Sequence, residues 1–108
     1  MTRLIASIHL KTTEDGGRAT PISPALYRAT VFFENVPELQ EHGYDCRLAR
    51  AGADDSNLIP PGESVDEVAL MFLSADEVLP YMRTGVRFSL WEGKTIGSGI
   101  VVRVEHAS

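Results

Sequence analysis

Gly85-Val86-Arg87-Phe88-Ser89-Leu90-Trp91-Glu92-Gly93-Lys94-Thr95-Ile96-Gly97-Ser98-Gly99-Ile100-Val101-Val102 reads as a β-hairpin. Val86, Phe88 and Leu90 alternate with Arg87, Ser89 and Trp91, a turn comes next at Glu92-Gly93-Lys94, and an apolar strand runs back. Successive side chains of a strand point to opposite faces, so period-2 alternation around a glycine-bearing turn marks two paired, half-buried strands. On the returning strand, Ile96, Ile100, Val102 and Val104 are assigned to one buried face. Gly97 and Gly99 are expected where that strand bends or a neighbour comes close.

The same pattern recurs upstream. Leu4, Ala6, Ile8 and Leu10 share a face opposite Arg3, Ser7, His9 and Lys11, which predicts a strand from about residue 3 to 12. Glu14-Asp15-Gly16-Gly17 is a turn, because glycine reaches positive φ without strain. Residues 21–24, from Pro21 to Pro24, read as loop. Leu26 to Phe33, rich in aromatic and β-branched residues, is the second strand. Asn35 to Gly43 is polar and interrupted by Pro37; Tyr44 to Ala51 is the third strand, with Tyr44, Cys46 and Leu48 inward. Gly52 to Gly62 gathers Asp54, Asp55, Ser56, Asn57, Pro60 and Pro61 and reads as loop. Val65 to Leu73 is the fourth strand. Ser74-Ala75-Asp76-Glu77 has capping-box spacing, and Pro80 limits any helix starting there to a single turn.

No long 3.6-period segment, internal repeat, linker or low-complexity tract interrupts this succession of strands. An all-β chain must deal with its sheet edges, and closure removes them. The expected fold is a single domain over residues 1–108: a closed antiparallel barrel of about six strands. Its core positions are expected to include Ile8, Val31, Leu70, Phe88, Leu90, Ile100 and Val102.

The chain has 108 residues, enough for one core without covalent staples. Its net charge of -5 argues against broad non-specific nucleic-acid binding, which draws on excess Lys and Arg. One cysteine, Cys46, excludes an internal disulfide and fits a reducing compartment. The apolar run Leu4 to Leu10 is too short for a signal or membrane segment, so the expected location is cytoplasmic, with no membrane partner.

The wording of several segments resembles the C-terminal β-barrel domain, the third domain, of elongation factor Tu. The closing hairpin is similar to that family's G-L-R-F-A-I-R-E-G-G-R-T-V-G-A-G-V-V, with one turn glycine missing and Lys94 in place of arginine. Leu4 to Lys11 resembles its opening strand. Glu14 to Ile22 resembles E-E-G-G-R-H-T-P-F, with Ala19 for histidine. Tyr27-Arg28-Ala29-Thr30-Val31-Phe32-Phe33 resembles Y-R-P-Q-F-Y-F, and Ile59-Pro60-Pro61-Gly62-Glu63 resembles V-M-P-G-D. The matches occur in order over most of the chain, except Glu34 to Asn57. The resemblance implies a six-stranded antiparallel barrel standing free of the GTPase domain.

Catalytic motifs are not expected. Gly93-Lys94-Thr95 looks like the end of a P-loop, but Phe88 stands where its first glycine belongs and strands flank both sides. No GTP binding, and no cofactor, is therefore expected. His9, His42 and His106 show no metal-ligand spacing with Cys46. Gly97-Ser98-Gly99 is not a nucleophile elbow, which needs G-x-S-x-G between strand and helix. Asp54-Asp55 and Asp76-Glu77 read as solvated charge rather than acid–base pairs. The expectation is a non-enzyme with no catalytic, cofactor or metal residues.

Recognition is the remaining class. In elongation factor Tu this domain helps to grip tRNA and contacts protein partners. The resemblance implies Arg18, Glu92 and Gly93 at positions near the tRNA backbone, and Arg28 and Lys94 complete a candidate basic contact surface. Two kinds of function are open. One is a binding module touching the translation apparatus, through RNA or a factor that recognises this barrel. The other is a decoy or immunity-type protein that binds a toxin or factor aimed at elongation factor Tu. The acidic composition favours a protein partner over tRNA.

Overall fold

Six strands close into an antiparallel barrel in a computed structural model that describes residues 2–23, 27–40, 42–50 and 58–106. They are β1 (Thr2–Leu10), β2 (Arg28–Phe33), β3 (Tyr44–Arg50), β4 (Ser64–Phe72), β5 (Arg87–Trp91) and β6 (Thr95–His106). Around the barrel the order is β1-β4-β3-β2-β5-β6, and β6 returns to pair with β1. The expected all-β barrel is thus the fold observed. Pro24, the expected strand ends Leu26 and Ala51, and the loop residues 52–57 lie outside the described residues.

Alternation places the interior. Leu4, Ala6, Ile8 and Leu10 are buried along β1, and Val31 and Phe33 along β2. Tyr44, Cys46 and Leu48 do the same on β3, and Phe88 and Leu90 on β5. Phe33 is the centre of an aromatic group, with ring centroids 6.2 Å from Tyr44, 5.8 Å from Phe72 and 6.1 Å from Phe88. Such tilted and edge-to-face pairs add about 0.5–1.5 kcal/mol beyond burial itself. Ile22 and Ile59 exchange backbone hydrogen bonds of 2.8 and 2.9 Å between two loops and bury their side chains completely. A 3-10 turn at Pro37–Leu39 likewise delivers Leu39 to the core.

Strand β6 departs from the expected face. Ile100 is 37% exposed and Val102 only partly covered, whereas Val101 is 1% exposed. Two bulges cause this. Leu90 pairs with Gly97 and Trp91 with Thr95, leaving Ile96 extra; Ile5 pairs with Arg103 and Ala6 with Val101, leaving Val102 extra. Each inserted residue reverses the alternation. Between the bulges the inward positions fall to Gly97, Gly99 and Val101, as the pairing with Leu90, Phe88 and Ala6 requires. A Cβ at Gly99 would sit 2.6 Å from Phe88 Cε2, and one at Gly97 would sit 2.6 Å from the His9 carbonyl oxygen. The expected close approach is therefore made by Phe88 and the β1 backbone.

The short helix α1 (Ala75–Val78) is present, but its expected capping box is not. Ser74 makes no side-chain cap; its carbonyl instead accepts from the amides of Glu77 and Val78 at 3.0 and 3.1 Å. The helix passes into a 3-10 turn, Leu79–Tyr81, whose first turn holds Pro80 where no amide hydrogen is needed.

Cys46 is 1% exposed, and burial pushes its thiol up to about 12. With the folded value above the ordinary 9.0, the neutral thiol contributes stability that is complete below 9.0 and is lost as pH rises toward about 12. At about pH 8 the native protein should resist iodoacetamide and label fully once denatured, because the thiolate is the nucleophile. Mass spectra of a labelling time course check this. Native labelling as fast as a free thiol contradicts it.

Candidate functional site

Among the described residues no charged side chain is buried, so recognition chemistry belongs to the outer wall and rims. No group of three or more His, Cys, Asp or Glu among them is placed to hold a metal ion. No described helix is long and apolar enough to cross a membrane.

The sequence-derived contact residues gather at one rim. The chain after β1 folds into a turn in which the Gly17 amide donates to the Thr12 carbonyl at 2.9 Å and Gly16 takes φ +93°. Thr13 Oγ1 then donates to the Arg18 carbonyl at 2.7 Å, which fixes the arginine at the turn exit. The Arg18 guanidinium lies 5.2 Å from the Tyr27 ring centroid and donates to Glu92 Oε2 in the β5–β6 turn. The Tyr27 hydroxyl donates to the same carboxylate oxygen. Arg18 Nε and Nη2 also reach the Thr20 carbonyl and hydroxyl at 3.1 and 3.2 Å.

This arrangement is a latch joining two loops through a tyrosine. Burial, followed by the Glu92 hydrogen bond, pushes the Tyr27 phenol well above its ordinary value, so it remains a donor. Arg18 has a cation–π face and most of its donors occupied, and is only 22% exposed. It is a structural cation rather than a solvated turn charge.

Gly93 takes φ +76° in the closing turn, where the Glu92 amide donates to the Lys94 carbonyl at 2.9 Å. Lys94 is exposed beside the latch. Arg28 begins β2, two residues before Thr30, which pairs with Trp91; register therefore carries Arg28 to the same rim. It is exposed and opposite Arg47 of β3. Among the described residues, Arg28, Arg47 and Lys94 form no ion pair.

A second feature was not singled out by sequence. Phe32 and Trp91 stand side by side on the outer wall, 37% and 41% exposed, edge to face with centroids 5.9 Å apart. Alternation places each opposite a buried neighbour, but only the β2–β5 register brings the two together. A Cβ at Gly43 would lie 2.9 Å from Phe32 Cζ, so the backbone before β3 lies against the ring. Beyond it is a groove of about 310 Å³ lined by His42, Asp45, Ser74 and Glu77, with Leu73 on its wall, 71% exposed. Thr30 Oγ1 donates to Asp45 Oδ1 at 3.0 Å, tying this groove to the strand that carries Phe32. No family model matches the chain.

Proposed function

We propose that this barrel is a non-catalytic binding module whose protein partner docks on the wall carrying Phe32 and Trp91. The observation that supports it is the edge-to-face pair itself: two large aromatic side chains left more than a third exposed. Aromatic anchors carry a disproportionate share of interface energy. Asp45 and Glu77, beside exposed Leu73, suit a partner with apolar and basic groups. With the resemblance to the C-terminal domain of elongation factor Tu, the partner we favour is one that recognises that domain. A decoy or immunity-type role against a toxin or factor aimed at elongation factor Tu is the physiological form of this reading.

Capture from a cytoplasmic extract, using wild type and the Phe32→Ala/Trp91→Ala double variant side by side, tests it. Loss of an anchor costs about 2–4 kcal/mol, so proteins retained by wild type should fall to background on the variant. Equal retention by both, with matched melting curves, sinks the assignment to this wall.

The runner-up reading is weak tRNA binding, favoured by Arg28 and Lys94, which form no ion pair among the described residues and lie at one rim. The engagement of Arg18 with Glu92 weighs against it, since that guanidinium already has an internal carboxylate. Filter binding of aminoacyl-tRNA at low salt should show no retention. Retention that weakens on Arg28→Glu/Lys94→Glu, with a shallower salt dependence, would favour RNA instead.

A further inference from the structure

On the other side of the barrel from β3, the outer wall carries a groove of about 260 Å³ lined by Ser7, His9, Ser64, Arg87, Ser98 and Ile100. Register assembles it: His9 of β1 pairs with Ser64 of β4 and with Ser98 of β6, while Ile100 pairs with Ser7 of β1 and Arg87 of β5. Adjacent strands lie about 4.8 Å apart, so His9 and Ser98 stand close enough to meet on one small group, with Ser64 one strand further out behind His9. The groove is shallow because its floor is backbone. Gly99 faces inward with no side chain, and a Cβ there would come within 2.9 Å of the Ser7 carbonyl oxygen.

The chemistry of the lining is one-sided. Three hydroxyls, one imidazole and one guanidinium face the groove, and none of its lining residues is a carboxylate, in a chain of net charge -5. Arg87 forms no ion pair among the described residues. His9 Nδ1 and Ser64 Oγ are hydrogen-bonded at 2.8 Å, which fixes the ring and leaves Nε2 as its other polar atom. We propose that this groove binds a phosphate group, as the free ion or a small monoester. Arg87 supplies the charge, and Ser7, Ser98 and His9 Nε2 supply directional donors, with Ser64 giving its own hydrogen to His9 Nδ1 so that the ring keeps its hydrogen on Nε2. With Arg87 bidentate these groups offer five hydrogens, more than the roughly four lone-pair sites of a carboxylate, whereas a phosphate has enough to accept from all of them. The exposed Ile100 side chain forms an apolar wall for the ester substituent.

This inference is independent of the docking wall and of any partner there. It is tested by titrating isotope-labelled protein with inorganic phosphate, at constant ionic strength made up with chloride, and following backbone amide shifts. Saturating shifts are expected at Ser7 to His9, Ser64, Arg87 and Ser98 to Ile100, with a dissociation constant on the order of 1 mM. Arg87→Gln and His9→Gln, both exposed positions, should keep the melting temperature. Each should weaken binding roughly 10-fold or more, as loss of a charge-assisted hydrogen bond requires. Phenyl phosphate, whose substituent is apolar, in a parallel arm separates the two sources: tighter binding assigns the monoester, equal binding the free ion. Shifts that stay linear to about 20 mM, or are the same in Arg87→Gln, overturn the proposal.

Discussion

Phe88→Ala should lower the unfolding free energy by about 3–5 kcal/mol, the range for emptying a buried aromatic site. Phe88 is 1% exposed, packs edge to face on Phe33, and lies directly beneath Gly99. The glycine has no side chain to enter the vacated space, so relaxation must come from Phe33 and the strands themselves. Single domains are stable by only about 5–15 kcal/mol, so this one change removes a large share. At about 4–8 °C per kcal/mol near this size, the melting temperature should fall by roughly 15 °C or more. Thermal melts followed by circular dichroism measure it. A fall of less than about 4 °C, under the loss of 1 kcal/mol, would mean that the ring does not fill the core as described.

Gly99→Ala is the converse experiment, adding one carbon at the place where Phe88→Ala takes a whole ring away. Its Cβ would meet Phe88 Cε2 at 2.6 Å and the Ser7 carbonyl oxygen at 2.9 Å, closer than real Cβ contacts come. Overpacking of this kind costs about 1–3 kcal/mol or more, because neither Phe33 nor the β1 ladder yields easily. Two backgrounds separate the causes. In Phe88→Leu the ring is gone, and Gly99→Ala should be partly relieved, giving a coupling of about 0.5–3 kcal/mol between the sites. Gly97→Ala meets the His9 carbonyl oxygen at 2.6 Å, so the same leucine should give it no relief. Equal rescue of both glycine variants would show that the strain is not local to the ring.

These positions also show what the sequence discloses. Leu4, Ala6, Ile8 and Leu10 are buried as alternation predicts, because the inward face of β1 runs unbroken. On β6 the same reasoning places Ile100 and Val102 in the core and is wrong about both. A bulge inserts one residue without changing composition, and alternation carries no mark of where the count slips. The resemblance points to Arg18, Glu92 and Lys94 as single residues, and nothing in the sequence marks their interactions. Arg18 meets a carboxylate 74 residues away, and the tyrosine beneath it is visible only as a letter in a motif. The Phe32–Trp91 pair and the His9–Ser64–Ser98 row exist only once strand order and register are known.

The pairing of first strand with last has a consequence in time. β1 lies between β4 and β6, and its ladder with β6 runs from Thr2 opposite His106 to Leu10 opposite Gly97. During synthesis, at about 5–20 residues per second, every strand but β6 emerges first. Until β6 arrives, β1 and β5 each present an unpaired edge, the kind of surface on which chains join one another. Closure joins segments far apart in sequence, which places folding toward the slow, millisecond-to-second end of the range. A chain whose Thr95–His106 strand has not yet emerged therefore holds an open sheet with two adhesive margins, and the arrival of those twelve residues decides whether it ends as a barrel or an aggregate.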